Sequence, residues 1–385
     1  MWSKLDRADR AFLLAIVAGL VFVVALGPLQ RRIELAHIND FSGVWAGARG
    51  ALLGIDPYSV GWPDHARALD AQVPNTAVFG YMPWVLLALL PFAVLPLEPA
   101  AWLWMIASLG AAALGVRALL RAFLPGQAVL HAAAGGALFF SQPAFHSLVL
   151  GQWSFVLLGA TAAVVTGLRC RRVARAAAAA VWLAKPQLFV LAALGLLRDS
   201  MARGGPGRRS LTIAAGTSAG SVLLGWVLFP QWLVAFVTHV APVRLERSAS
   251  LASALTDLVG PAGAVAAVLA ILAMTALALA FRAGTDEALA VWLALSVVGA
   301  PYLWSYDHLL LLAPLIIAAG ALGRRDRRAA ACLLLAGVAA LVLLSTALYG
   351  LAVVRQRESF SAVVPLLVYV AIVGSLWPSR ARTAA

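Results

Sequence analysis

Hydrophobic positions along this chain fall into long unbroken runs rather than alternating with polar ones. Twelve runs cover most of it: 11–29, 78–97, 100–120, 128–147, 149–168, 176–197, 211–230, 258–281, 288–304, 308–323, 329–350 and 361–377. A helix crossing a bilayer takes about 20 apolar residues. The pattern therefore predicts an all-α polytopic membrane protein with about 10–12 transmembrane or re-entrant helices. The first run has a basic flank (Lys4, Arg7, Arg10), and Pro28 would directly follow an Ala25-Leu26-Gly27 cleavage site. It reads as a retained anchor with the N-terminus inside.

Two runs do not fit a simple crossing. Run 128–147 is interrupted by Ser141-Gln142-Pro143 and carries His146. Run 176–197 has arginine clusters beyond both ends, so it must enter and return, and Lys185-Pro186 is where it would turn. It is expected to be a re-entrant segment or short helix pair. Irregular backbone at membrane depth is tolerated only when buried in protein or lining a polar cavity.

The longest polar stretch, 30–77, follows the first span and is expected to be extracytoplasmic. Within it Asn39-Asp40 precedes Phe41, Val44, Trp45, Ala48 and Leu52 at helical spacing, and Gly54 follows. That spacing predicts an amphipathic helix at the membrane surface, with Asn39 or Asp40 as N-cap and Gly54 just past the C-terminus. Asp56-Pro57-Tyr58 reads as a turn.

Composition narrows the class further. With 63% hydrophobic and 12% charged residues, neither a soluble globular protein nor a disordered chain is compatible. Residues 1–385 are expected to form one membrane domain without a second globular body. The net charge of +13 would suit nucleic acid, but the arginines sit where apolar runs stop. Clusters occur at Arg169, Arg171, Arg172 and Arg175, at Arg198–Arg209, at Arg324–Arg328, and at Arg380 and Arg382. That is the pattern of short cytoplasmic loops, and it accounts for the charge without a nucleic-acid partner. Cys170 and Cys332 lie beside these clusters, with neither disulfide nor metal spacing, and read as structural.

The remaining polar residues gather on the opposite side. Five of the sixteen acids (Glu34, Asp40, Asp56, Asp64, Asp70) lie in 30–77. Gln152, the pair Asp307-His308, and His239, Arg244 and Arg247 of the outer loop 231–257 are expected on the same face. Among 29 basic residues only Lys4 and Lys185 are lysines. An ionisable group inside an apolar run is costly and marks a substrate or ion path, and lysine supplies a point charge suited to phosphate. The bland alternatives are a snorkelling lysine, or one bonded to carbonyls freed by Pro186. Locally, Asp40 is equally readable as a helix cap.

Taken in order, Asp40, Gly54-x-Asp56-Pro57-Tyr58, Phe79-x-Tyr81-x-Pro83, Gly151-Gln152, Lys185-Pro186 and Asp307-His308 resemble glycosyltransferase family 87, polytopic enzymes of the GT-C type. The resemblance covers about residues 30–310. It implies a glycosyltransferase of the plasma membrane with its active site on the extracytoplasmic face. The enzyme would move a sugar, mannose first, from a polyprenyl-phosphate donor to a glycolipid or glycan acceptor, with no cofactor. Asp40 matches the family's general base for an inverting single displacement. Lys185 and His308 become candidates for the donor phosphate, with Asp307 and Gln152 supporting. Asp307 could alternatively fix the His308 tautomer. Trp45, Tyr58, Tyr81 and Trp153 are candidate sugar or acceptor contacts, although aromatic residues at a membrane interface need no such role. No Asp-x-Asp occurs, so nothing points to a metal. Other readings are an arabinofuranosyltransferase with a similar donor, or a lipid or solute transporter. Against a transporter stand the lack of two related halves and the position of the acids at span ends.

Overall fold

The computed structural model describes residues 5–25, 39–69, 71, 78–170, 172–239 and 248–377. Lys4, Pro28, Glu34, Asp70, Arg171, Arg244, Arg247, Arg380 and Arg382 lie outside the described residues.

Long apolar runs satisfy their backbone hydrogen bonds internally as helices, and every regular element among the described residues is helical. Among the described residues, seven helices are long and apolar enough to cross a membrane: Arg7–Ala25, Leu97–Phe123, Gly205–Leu228, Ala262–Ala280, Ser305–Gly323, Arg327–Arg355 and Ser359–Leu376. Gln142–Leu150 and Ser154–Arg169 make an eighth if they are one span, bent by 114°. The chain is a polytopic all-α membrane protein.

Three apolar runs give shorter helices, Pro83–Ala93, Ala128–Phe140 and Val173–Ala184, and each has a local reason. Pro83 occupies a first turn, where its missing N–H costs nothing. Ser141 caps the next helix by accepting from the Ala144 N–H at 3.3 Å, and this ends Ala128–Phe140. Lys185-Pro186 interrupts the third run, which winds as a 3₁₀ helix before the break and as the α-helix Val190–Ala202 after it.

Burial sorts the helices into core and rim. Leu312 to Leu322 are all buried, as are Ala288 to Val298, so Leu312–Gly323 and Asp286–Val298 form the centre. Gly205–Leu228 and Ala262–Ala280 instead expose large apolar side chains, Val227 at 69% and Leu269 at 62% among them. Such surface calls for lipid. Between Leu97–Phe123 and Ser154–Arg169 small residues bring the backbones together. A Cβ at Gly159 would lie 2.6 Å from the Ala111 carbonyl oxygen.

One end of this bundle is held by arginine ion pairs. Asp286 accepts from Arg169 at 2.6 Å and from Arg324 at 2.8 Å. Arg203 pairs with Asp199 at 2.6 Å, and Arg117 and Arg121 share Asp9. The 16-residue helix Ser154–Arg169 starts at the opposite end. At 1.5 Å per residue the two ends are about 24 Å apart.

Candidate functional site

At the far end, away from these ion pairs, the helix Asp40–Leu52 supplies the first functional side chain. Asn39 is its N-cap: its side-chain oxygen accepts from the Ser42 N–H at 3.0 Å, and its amide donates to the Val149 carbonyl at 3.4 Å. Capping therefore belongs to Asn39, and Asp40 is the first residue of the helix proper. The helix sits deeper than a surface amphipathic helix would. Nine of its 13 residues are buried, because Gly43, Ala46, Gly47 and Ala48 allow packing on its remaining sides. Gly54 does adopt a positive φ, +75°, just past its end.

The Asp40 carboxylate accepts a hydrogen bond from the Gln152 side-chain amide. Gln152 reaches it through a sharp turn. Gly151, at φ +68°, closes Gln142–Leu150 in the left-handed region, and the Gln152 N–H then bonds the Ser147 carbonyl at 2.9 Å. The Gln152 side-chain oxygen is buried without a partner among the described residues.

Two residues further on, Ser154 donates to Asp307 at 3.0 Å, and Asp307 also accepts from Lys185 at 2.7 Å. The Trp304 N–H holds the other Asp307 oxygen at 3.2 Å. Both members of the ion pair are buried, and the Lys185 ammonium lies 4.4 Å from the centroid of the Tyr306 ring. Stacked rings brace the lysine: Trp182 and Phe189 lie on either side of the Lys185-Pro186 break, 4.7 Å apart and nearly parallel. Lys185 is thus neither snorkelling nor held by freed carbonyls alone. Its charge is matched by a carboxylate 122 residues away.

His308 departs from expectation. Asp307 does not fix its tautomer, because that carboxylate is committed to Lys185, Ser154 and Trp304. The Ser305–Leu311 segment is 3₁₀, with three residues per turn, so His308 stacks under Ser305 rather than beside Asp307. It is wholly buried, and neither ring nitrogen has a partner among the described residues.

The aromatic candidates are mostly committed to packing. Trp45 donates its indole N–H to the Leu95 carbonyl at 3.2 Å, and Trp153 lies buried 4.8 Å from Trp104. Tyr58 donates to the Tyr81 carbonyl at 2.7 Å, and burial, with Asp56 nearby, pushes its phenol well above the usual value. Here two of the sequence motifs meet. The Phe79 N–H bonds the Pro57 carbonyl at 2.9 Å, while the rings of Tyr58, Phe79 and Tyr81 pack in series. Trp84 then donates to the Leu183 carbonyl at 2.5 Å, just ahead of Lys185. Tyr81 remains half-buried and lies, with Asp40, Asp307 and Glu358, within electrostatic reach of the Tyr306 hydroxyl.

Sequence reasoning missed Ser154 and Glu358, and placed Tyr306 beside Asp307 at an outer turn without giving it a role. Glu358 accepts from the Ser305 N–H at 2.9 Å, and burial pushes its carboxyl above the ordinary value. The available signal was an acid in the short gap 351–360 between the last two apolar runs. Ser154 carries no sequence signal, since serine is common at helix starts.

The model of glycosyltransferase family 87 matches residues 79–305, more than half of the chain. The matched stretch contains Tyr81, Gln152 and Lys185, while Asp40, Asp307 and His308 lie outside it. No curated protein and no solved structure matches the chain.

Proposed function

Because the chain belongs to glycosyltransferase family 87, we propose that it transfers a sugar, mannose first, from a polyprenyl phosphate to a glycolipid or glycan acceptor. The reaction takes place at the extracytoplasmic face of the plasma membrane, in a GT-C type fold. One observation carries the reading: two residues, separated by one in the chain, bind both halves of a reaction centre. Gln152 donates to Asp40, and Ser154 donates to the Asp307 that holds Lys185. The Tyr306 ring lies 4.4 Å from the Lys185 ammonium, and Asp40 is within electrostatic reach of the same residue, which supports a carboxylate and a cation from distant parts of the chain acting on one sugar phosphate.

Asp40 is the general base. It takes the proton of the acceptor hydroxyl as that oxygen attacks the anomeric carbon. The bond from that carbon to the phosphate oxygen breaks, and the electron pair leaves with the polyprenyl phosphate, inverting the configuration. Lys185 stabilises the negative charge growing on this leaving group. An ammonium has three donors, so contact with Asp307 does not exhaust it. Asp307, fixed by Ser154 and Trp304, keeps the lysine in place between turnovers. The unpartnered side-chain oxygen of Gln152 can accept from a sugar hydroxyl, and Tyr81 is the aromatic candidate not enclosed by packing. His308 stays a candidate for the donor phosphate through the N–H of its unpartnered ring. The same arrangement would serve a polyprenyl-phosphate arabinofuranose, and a panel of donors separates the two.

The Asp40→Asn variant tests the reading. It should abolish sugar transfer while expression and binding of the polyprenyl-phosphate sugar stay near normal. Turnover at the parental rate would overturn the assignment of the base.

A further inference from the structure

The arginine end holds a cavity of about 340 Å³ that the transfer chemistry does not use. Arg117, Arg121, Arg172 and Arg175 line it, with Leu114 and Ala118 on its apolar side. Arg117 and Arg121 are four apart on one helix face and share the Asp9 carboxylate. Asp6 also acts on Arg121. Among the described residues, four guanidiniums against two carboxylates leave the cavity with a surplus of two positive charges. Arg175 is oriented by donating to the Thr166 hydroxyl at 3.0 Å. The Arg172 side chain is exposed, and it makes no ion pair among the described residues.

The apolar side of the cavity is as informative as the basic one. Leu114 is 68% exposed on the membrane-facing flank of Leu97–Phe123, and Ala118 follows one turn later. An apolar strip therefore climbs from the basic cavity along the lipid-facing surface. Guanidinium forks match phosphate oxygens, and basic pockets between membrane helices suit anionic headgroups. An amphiphile with a phosphate at one end satisfies both halves.

We propose that this cavity binds a phosphate group, presented by an anionic phospholipid whose chains run along Leu114 and Ala118. The site stands about 24 Å from Asp40 and Lys185 along the Ser154–Arg169 helix, and is independent of the transferase chemistry.

Native mass spectrometry of the full-length protein in detergent tests this, with phosphatidylglycerol, phosphatidylcholine and glycerol 3-phosphate as probes. Phosphatidylglycerol should be retained about ten-fold more than phosphatidylcholine, and millimolar glycerol 3-phosphate should not displace it. Each basic residue near an anionic headgroup is worth about five-fold in affinity. Arg172→Gln, at an exposed position that leaves the ion pairs intact, should cut retention by about that factor, and Arg172→Lys should keep it. Adding Arg175→Gln should remove the preference. Displacement by glycerol 3-phosphate would assign the site to a soluble phosphate ester and overturn the lipid. Equal retention of the two lipids, or an undiminished preference in Arg172→Gln, would overturn the site itself.

Discussion

Lys185 shows how one residue can be read from sequence while its partner is not. A lone lysine in an apolar run signals a stabilised charge, but nothing local says that Asp307 provides it. In the structure each is the other's condition for being buried. Removing one member leaves an uncompensated charge, which typically costs about 3–5 kcal/mol, whereas neutralising both can cost little. Lys185→Met should therefore lower the melting temperature of the purified protein sharply. Adding Asp307→Asn should recover most of that loss, because the side-chain amide can still serve Ser154 and Trp304. Neither variant should regain binding of the polyprenyl phosphate if Lys185 contacts it. A Lys185→Met protein of parental stability would show that the pair is not what holds Asp307. Asp40 was not singled out by its local pattern. Asn39 and Asp40 were indistinguishable as caps on paper, and only the observed bond from Ser42 to Asn39 separates them.

At the scale of elements, most helices were legible because long apolar runs admit no other regular structure in lipid. Broken segments were legible only as breaks. Ser141 and Pro143 announced the interruption in run 128–147, yet the 114° bend comes later, at Gly151. The 3₁₀ winding of Val173–Ala184 had no signal at all, since its alanines favour an α-helix as readily. The depth of Asp40–Leu52 was hidden too, because its small residues read as neutral until neighbouring helices cover them. The turn at Gly151 is the element on which the site most depends, as it sends Gln152 to Asp40 and Ser154 to Asp307. A Cβ at φ +68° costs about 1–2 kcal/mol. Gly151→Ala should lower the melting temperature modestly and reduce transfer more than that loss of stability explains. Thermal unfolding and initial-rate measurements on the same preparation check both parts. A variant with a lower melting temperature and an undiminished rate would detach the turn from the chemistry.

For the whole molecule, the relation between the two ends matters most. Arg169 and Ser154 terminate the same helix, one on Asp286 among the arginines and the other on Asp307 at the site. Asp40 and Lys185 therefore stand at the opposite end of that helix from the arginine ion pairs. The positive-inside rule predicts that the arginines face the cytoplasm, which is the orientation of the proposed reaction. Cys170 and Cys332 are both free and exposed, and Cys170 lies among the arginines beside the basic cavity. In a Cys332→Ser background, a membrane-impermeant maleimide should not label Cys170 in right-side-out vesicles and should label it after permeabilisation. A reporter at the other end should behave inversely. Val60 is 76% exposed and lies two residues beyond the Tyr58 that anchors to Tyr81. Val60→Cys in a chain otherwise free of cysteine should react before permeabilisation. The opposite pattern at both positions would turn the molecule over, placing Asp40 and Lys185 on the cytoplasmic side, where an extracytoplasmic acceptor could not reach them.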